Sequence, residues 1–130
     1  MNLFNRKSDK KVGLALGGGA TLGGAHVGVL RALEETELSI EYIAGTSIGA
    51  MVGALYAFGM PVDEIEQIAL DLDWPDISGL ALSKRGLLNN DEMGKLLDKH
   101  LGDVFFEDAD IPFAAVTTDI STGEKVILDE

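Results

Sequence analysis

The sequence contains no cysteine, so a disulfide framework, a thiolate zinc site and a cysteine nucleophile are all excluded. It also lacks a basic excess, since 22 acidic residues against 10 basic ones give a formal net charge of −12. A protein that reads nucleic acid needs a basic face, and we therefore expect no nucleic-acid partner. The lack of cysteine fits a reducing compartment, and we predict a cytoplasmic location.

A metal-binding pattern is also missing. Asp71, Asp73 and Asp76 do not follow the spacing of a calcium loop. We predict neither a metal nor a cofactor. The remaining composition, with 46% hydrophobic and 25% charged residues, is that of one ordinary globular domain with its own core.

The first eleven residues differ from the rest, because their basic side chains stand against Asp9 alone. We predict a flexible basic tail at residues 1–11, followed by one domain at residues 12–130. A contact of this tail with anionic lipid, which would make the protein peripheral to a membrane, is the minority interpretation. The apolar stretch Val12–Leu16 is too short for a secretory signal.

The uncharged run Tyr42–Met60 is long enough to suggest a transmembrane helix. Residues 45–47, Gly-Thr-Ser, interrupt this run with turn chemistry, and the apolar piece before them is short. A buried strand, a turn and a helix are therefore the favoured interpretation over a membrane span.

Hydrophobic periodicity predicts strands and helices in alternation. The predicted strands are Val12–Leu16, Ile40–Ala44, Phe113–Asp119 and Lys125–Leu128, the last two forming a hairpin. The predicted helices are Ala25–Glu35, Ile48–Phe58, Asp63–Leu72 and one capped by Asn90 or Asp91 that runs to Leu101. Residues 74–88 are predicted to form a long loop or lid. This order favours an α/β fold with helices on both faces of the sheet.

The first motif that indicates chemistry is Gly45-Thr46-Ser47-Ile48-Gly49, a G-x-S-x-G between a predicted strand and a predicted helix. A tight, strained turn in this context presents a serine hydroxyl beyond the sheet. The N-terminus of the following helix then directs its free amides at an anion formed there. We predict Ser47 as a nucleophile. The structural alternative is that Ser47 caps the helix.

The second motif is the glycine-rich loop at residues 17–24, which follows a predicted strand and precedes a helix. A dinucleotide fingerprint would need glycine at position 22, where Leu22 stands, and a phosphate P-loop would need a Gly-Lys pair that is absent. An oxyanion hole needs only amides that face a developing negative oxygen. The candidate oxyanion-hole residues are Gly17, Gly18, Gly19, Gly23 and Ile48.

These two motifs, Gly17–Leu30 and Ile43–Ala50, resemble the patatin-like phospholipase family. Residues 83–88 and 111–115 look like the small bacterial and archaeal members, and the resemblance covers residues 12–130. It implies a three-layer α/β/α fold and hydrolysis of ester bonds in lipids. It also implies a Ser-Asp dyad, with no metal.

Two features depart from the family pattern. The family usually carries a basic residue, mostly Arg, at the position of Leu22, and its catalytic Asp belongs to an Asp-Gly segment downstream, whereas this chain contains no Asp-Gly dipeptide. A serine hydroxyl is a poor nucleophile without a positioned base. We therefore expect the N-terminal part of such a domain, inactive by itself, with an unpaired sheet edge that favours self-association.

Two residues of the chain are candidates for the role of the missing base. Asp119 follows a predicted strand, but the favoured role is to organise the turn through Thr122 and Gly123. His26 stands on the first helix behind the glycine loop, and a hydrogen-bonded packing role is favoured for it.

Three classes of function remain. The first is a serine lipid acyl hydrolase. The second is a non-catalytic module that binds lipid or a partner, for which Leu22 and the missing Asp argue. The third is an α/β-hydrolase with a Ser-His-Asp triad, which gives no reason for a glycine loop so close upstream. An acyltransferase with a related fold would use an acceptor other than water.

Overall fold

A computed structural model describes residues 11–19, 23–36, 38–71 and 90–130, and its centre is a four-stranded sheet. The strands lie in the order of the chain, the first three parallel and the last antiparallel. They are β1 (Val12–Leu16), β2 (Ile40–Gly45), β3 (Phe113–Thr118) and β4 (Lys125–Leu128). All four strands, including the hairpin of β3 and β4, were predicted from short apolar runs bounded by turn residues.

Four helices accompany the sheet. They are α1 (Gly23–Glu34), α2 (Ile48–Ala57), α3 (Val62–Asp71) and α4 (Asn90–Leu101). Their bounds agree with the predicted ones to within two residues. A short 3₁₀ turn at Phe106–Asp108 was not predicted, since a single turn leaves no periodic signal.

The described helices form a single layer. The connections from β1 to β2 and from β2 to β3 both step across the sheet in the same direction. Because connections between parallel strands are right-handed, both place their helices on the same side of the sheet. Helix α2 packs directly on β1, β2 and β3, and the other three helices pack against α2. The described residues thus form the sheet and one helical layer of a three-layer fold.

Helix α2 is the centre of the core. All of its residues are buried except Ala50 and Tyr56, and Leu55 is fully inaccessible. A side chain at Gly53 would lie 3.1 Å from both Ile43 and Phe113, so this glycine lets the helix approach β2 and β3 closely. A helix that is apolar all round must be buried, which explains why the uncharged run 42–60 is a strand, a turn and a core helix.

The opposite face of the sheet carries Gly13 and Ala15 from β1, and Tyr42 and Ala44 from β2. Tyr42 is 48% exposed, and a depression of about 700 Å³ lies over this face. Its lining includes Phe106 and Glu107 of the 3₁₀ turn but no residue of α1 to α4. Within the described ranges, no α-helix therefore covers this face.

Some predictions lie outside the described residues, namely the tail and the loop at 74–88. Among the helices that are described, none is both long and apolar enough to cross a membrane. Strands β1 and β4 are the edges of the described sheet, and self-association through an edge stays a prediction.

The buried position of Leu55 gives a test of the core. We expect Leu55→Ala to lower the free energy of unfolding by about 2–5 kcal/mol, because the vacated space cannot fully collapse. Leu38, which is 52% exposed, is the matched control, and Leu38→Ala should change it by less than about 0.5 kcal/mol. Urea unfolding followed by circular dichroism measures both. Equal effects of the two variants would contradict this core.

Candidate active site

Ser47 occupies a strained turn between the end of β2 and the start of α2. Its backbone has φ 53° and ψ −128°, and it is the one non-glycine residue with positive φ in the described part of the chain. Such a conformation costs about 1–3 kcal/mol and persists only where the surroundings enforce it. The strained turn predicted from the G-x-S-x-G motif is therefore present at Ser47.

The two flanking glycines enforce this turn. A side chain at Gly45 would lie 2.5 Å from the Gly49 carbonyl oxygen and from the Ala50 Cα. A side chain at Gly49 would overlap the carbonyl oxygens of Leu16 and Gly17. Only glycine fits at both positions, and the first turn of α2 therefore packs directly on the end of β1.

Hydrogen bonds fix the same turn from both sides. The Thr46 amide donates to the Leu16 carbonyl oxygen at 3.1 Å, while the amides of Ala50 and Met51 donate to the Ser47 carbonyl at 2.9 and 3.1 Å. The Ser47 side chain is half-buried and makes no capping hydrogen bond to α2. The structural alternative, in which the hydroxyl caps the helix, is therefore absent, and the hydroxyl is free of α2.

The glycine-rich loop passes beside Ser47. A side chain at Gly18 would lie 3.2 Å from the Ser47 Cβ, and Gly19 has φ 143°, which favours glycine. The amides of Gly18, Gly19 and Ile48 donate no hydrogen bond to another described residue outside the regular ladders. Gly18 thus lies directly beside the Ser47 side chain, and the dipole of α2 adds partial positive charge there.

The other residues predicted for the loop have different positions. Gly17 contributes its carbonyl oxygen rather than its amide to a described contact, and Gly23 is buried as the first residue of α1. Leu22, at the position where the family usually has a basic residue, lies outside the described residues.

His26 holds the glycine loop in place. Its Nε2 lies 2.7 Å from the Gly17 carbonyl oxygen, and because a carbonyl only accepts, Nε2 carries the proton and donates. The hydrogen-bonded packing role predicted for His26 is confirmed, although the sequence did not reveal its partner. This bond commits the donor nitrogen of His26 to the loop and makes His26 a positioning residue.

An ion-pair cluster connects α1, the helix that carries His26, to α3. The Arg31 guanidinium of α1 lies 2.8 Å from the Asp63 carboxylate and 2.5 Å from that of Glu66, both on α3. Asp63, and then Glu66, raise the pKa of Arg31 above its usual value. These three residues were not predicted as a cluster, because they are far apart in the sequence.

Asp119 organises the turn between β3 and β4. Its carboxylate accepts hydrogen bonds from the Ser121 amide at 2.8 Å and the Ser121 hydroxyl at 2.5 Å, and its carbonyl accepts from the Gly123 amide. The Ser121 hydroxyl and amide lower the pKa of Asp119. The favoured turn role is confirmed, with Ser121 rather than Thr122 as the main partner, and a lowered pKa makes this carboxylate a weaker base.

The fold and this site together define a class. A strained serine turn between a strand and a helix, at the carboxyl edge of a parallel sheet, is the arrangement of hydrolytic α/β enzymes. The sequence profile of the patatin-like phospholipase family matches residues 14–129, nearly the whole chain. The chain belongs to the patatin-like phospholipase family.

Curated relatives agree with this family. The chain is 35% identical over 139 aligned positions to the lysophospholipase NTE1 of Pyricularia oryzae, covering 96% of the chain and 9% of that protein. It is 34% identical over 126 positions to the neuropathy target esterase sws of Drosophila persimilis, covering 86% of the chain and 8% of that protein. The chain thus spans less than a tenth of the length of these relatives. They are fungal and insect proteins, so the narrower likeness to bacterial and archaeal members is not confirmed.

A solved structure supports the fold. The crystal structure of the type III effector protein ExoU superposes with a TM-score of 0.64 over 92% of this chain and 36% of that one, at 17% identity. At this identity the likeness concerns the fold alone. The predicted α/β fold class is confirmed.

The close packing at the Ser47 turn can be tested with two glycines. We expect Gly45→Ala to lower the free energy of unfolding by about 1–3 kcal/mol, because the added methyl group overlaps the start of α2. Gly28 on α1 is the control, since a side chain there meets nothing within 4 Å, and Gly28→Ala should raise stability by about 0.5–1 kcal/mol. Chemical denaturation of both variants measures the difference. A Gly45→Ala variant as stable as Gly28→Ala would show that the turn is not packed this way.

The turn at Asp119 gives a prediction about pH. Because the folded pKa of Asp119 is lowered, its carboxylate stabilises the fold above the unfolded pKa of about 3.9 and loses this effect as the pH falls through the folded pKa. Asp119→Asn should therefore be less stable than the natural chain at neutral pH, and the difference should vanish in acid. Urea midpoints measured from neutral to acidic pH test this, and Ser121→Ala should shrink the difference. A difference that does not change with pH would overturn the assignment.

Proposed function

We propose that this chain carries the nucleophile of a lipid acyl hydrolase of the phospholipase, lysophospholipase or esterase type, and that Ser47 is that nucleophile. The observation that carries the proposal is the strained Ser47 turn with Gly18 directly beside it.

In the proposed reaction, the Ser47 Oγ attacks the carbonyl carbon of the ester and forms a new C–O bond. The former carbonyl oxygen becomes an anion that faces the amides of Gly18, Gly19 and Ile48. The tetrahedral intermediate collapses with cleavage of the ester C–O bond. The alcohol leaves with the proton that the base has taken from the Ser47 hydroxyl, and the acyl group stays on Ser47 until water hydrolyses it. Amides that face the anion contribute about 3–4 kcal/mol each in comparable sites.

The remaining predicted residues support this site. Gly45, Thr46 and Gly49 form the nucleophile elbow, Gly17 anchors the loop to His26, and Gly23 starts the helix behind the loop. His26 therefore acts on the oxyanion hole through the loop rather than on the serine.

The base is the part of the mechanism that these residues do not supply. His26 donates to the loop, Asp119 is held by Ser121, and no Asp-Gly dipeptide occurs in the chain. We propose a Ser-Asp dyad whose Asp belongs to an Asp-Gly segment outside these 130 residues. These residues by themselves should then be inactive.

Lipid or another acyl ester is the proposed substrate, with no metal and no cofactor. The relatives named as lysophospholipases favour a lipid over a water-soluble ester. We propose that the protein is cytoplasmic and associates peripherally with membranes. The alternative function, a module that binds lipid or a partner without cleaving it, is favoured by Leu22 and by the missing catalytic Asp.

Labelling with a fluorophosphonate, followed by intact mass, tests the nucleophile. The 130-residue chain is compared with a longer form that includes a patatin-like Asp-Gly segment. We expect one adduct on the longer form only, because the serine needs its base, and Ser47→Ala should abolish it. Ester turnover by the longer form should fall at least about a thousandfold in Ser47→Ala.

Ser39→Ala is the control, since Ser39 is exposed and lies outside the turn, and its labelling should not change. An adduct that survives Ser47→Ala, or no adduct on either form, would refute Ser47 as the nucleophile. An adduct on Ser47 in both forms would show that a base lies within the 130 residues, which would refute the dyad.

A further inference from the structure

An apolar cavity of about 290 Å³ lies between α2 and α4, closed at one side by β3 and the segment that precedes it. Its walls include Met51, Ala54 and Phe58 from α2 with Met93, Leu97 and Leu101 from α4. The charged residue in the lining is Asp98, which is exposed. The cavity therefore suits an apolar ligand.

The α2 wall of this cavity ends one turn short of Ser47. Ala54 and Phe58 follow Ser47 by two and three helical turns, so the three residues lie on the same side of the helix axis. Ala50 also lines the cavity, and its amide donates to the Ser47 carbonyl oxygen at 2.9 Å. The cavity thus begins at Ala50, about one turn from the proposed nucleophile, and extends about 12 Å along α2 to Phe58.

The residues along this wall leave space next to the serine. Ala50 is half-buried and Ala54 is 6% exposed, and neither side chain extends beyond one methyl group. The larger residues Met51 and Phe58 bound the cavity at its side and far end. An elongated, unbranched apolar group fits between them.

The rim of the cavity is also apolar. Val104 is 38% exposed and Phe105 is 71% exposed, and both belong to the lining. In the described part of the chain, every buried polar side-chain atom has a hydrogen-bond partner, so the cavity offers no unsatisfied polar group to a ligand. A hydrocarbon chain would cover Phe105 and leave no polar atom unsatisfied.

We infer that this cavity between α2 and α4 binds the acyl chain of the ester that Ser47 attacks. The inference rests on the proposed function and adds the position and size of the acyl site. A volume of about 290 Å³ is at the lower end of the range of about 300–1,000 Å³ found for ligand pockets. The site therefore selects one acyl chain of medium length, with the ester carbonyl at the amides of Gly18 and Gly19.

Binding of decanoate, measured by titration calorimetry, tests the site without any turnover. Leu97→Trp fills the cavity, whereas Leu96→Trp is the matched control, because Leu96 faces a groove on the α3 side of the same helix. We expect the natural chain and Leu96→Trp to bind decanoate, and Leu97→Trp to bind it at least about tenfold more weakly. Butyrate should bind weakly to all three.

A second variant works in the opposite direction. Leu97→Ala enlarges the cavity and should shift the preference from decanoate towards dodecanoate. Circular dichroism establishes that each variant is folded. Decanoate that does not bind, or that binds the natural chain and both Leu97 variants equally, would overturn the inference.

The same variants separate this inference from the proposed function. Ser47→Ala should lose phosphonate labelling in the longer form but retain decanoate binding, because the serine lies outside the cavity wall. Labelling by a decyl phosphonate should be faster than by a methyl phosphonate, and Leu97→Trp should bring the two rates together. Labelling at Ser47 without any effect of Leu97→Trp would refute the acyl site and leave the nucleophile intact. Decanoate binding that depends on Leu97, with an unreactive Ser47, would refute the nucleophile instead.

Discussion

The start of α2 lies so close to the end of β1 that no side chain fits at Gly49, because the carbonyl oxygens of Leu16 and Gly17 occupy that space. The helix can begin there only if the chain turns sharply after β2, and this turn gives Ser47 its positive φ. The same contact brings the loop after β1 beside the serine. The strained turn at Ser47 and the position of the glycine loop beside it are therefore consequences of one packing contact between a strand and a helix.

This contact persists because α2 is buried on nearly every side. Its apolar residues pack on three strands and on the three other described helices, so a shift of its first turn would disturb the whole core. The energy that holds Ser47 in an unfavourable conformation comes from burial of side chains such as Leu55. Farther from the serine, Ala50 and Ala54 leave space on the side of α2 that faces α4, and an apolar cavity remains there. One helix thus serves the core, the serine turn and the proposed acyl site.

Prediction from the sequence succeeded where the signal was local. Short apolar runs between turn residues identified β1 to β4, and helical spacing or capping residues located α1 to α4, because each pattern is complete within about a dozen residues. The serine turn was predictable for the same reason, since Gly45, Ser47 and Gly49 are close in sequence. The pairing of His26 with Gly17 and the cluster of Arg31 with two carboxylates of α3 were not predictable, because each depends on how separate elements meet.

The sequence by itself thus determined the order of the elements, the family and the position of the serine turn, through short motifs whose spacing fixes their local structure. The tertiary structure alone decided that the described helices share one face of the sheet, that Asp119 is held by Ser121, and that a cavity begins one turn from Ser47. The physical reason is that these properties arise from distances between residues that are remote along the chain. The burial of side chains and the direction in which each strand and helix runs set these distances, and no local sequence pattern encodes them.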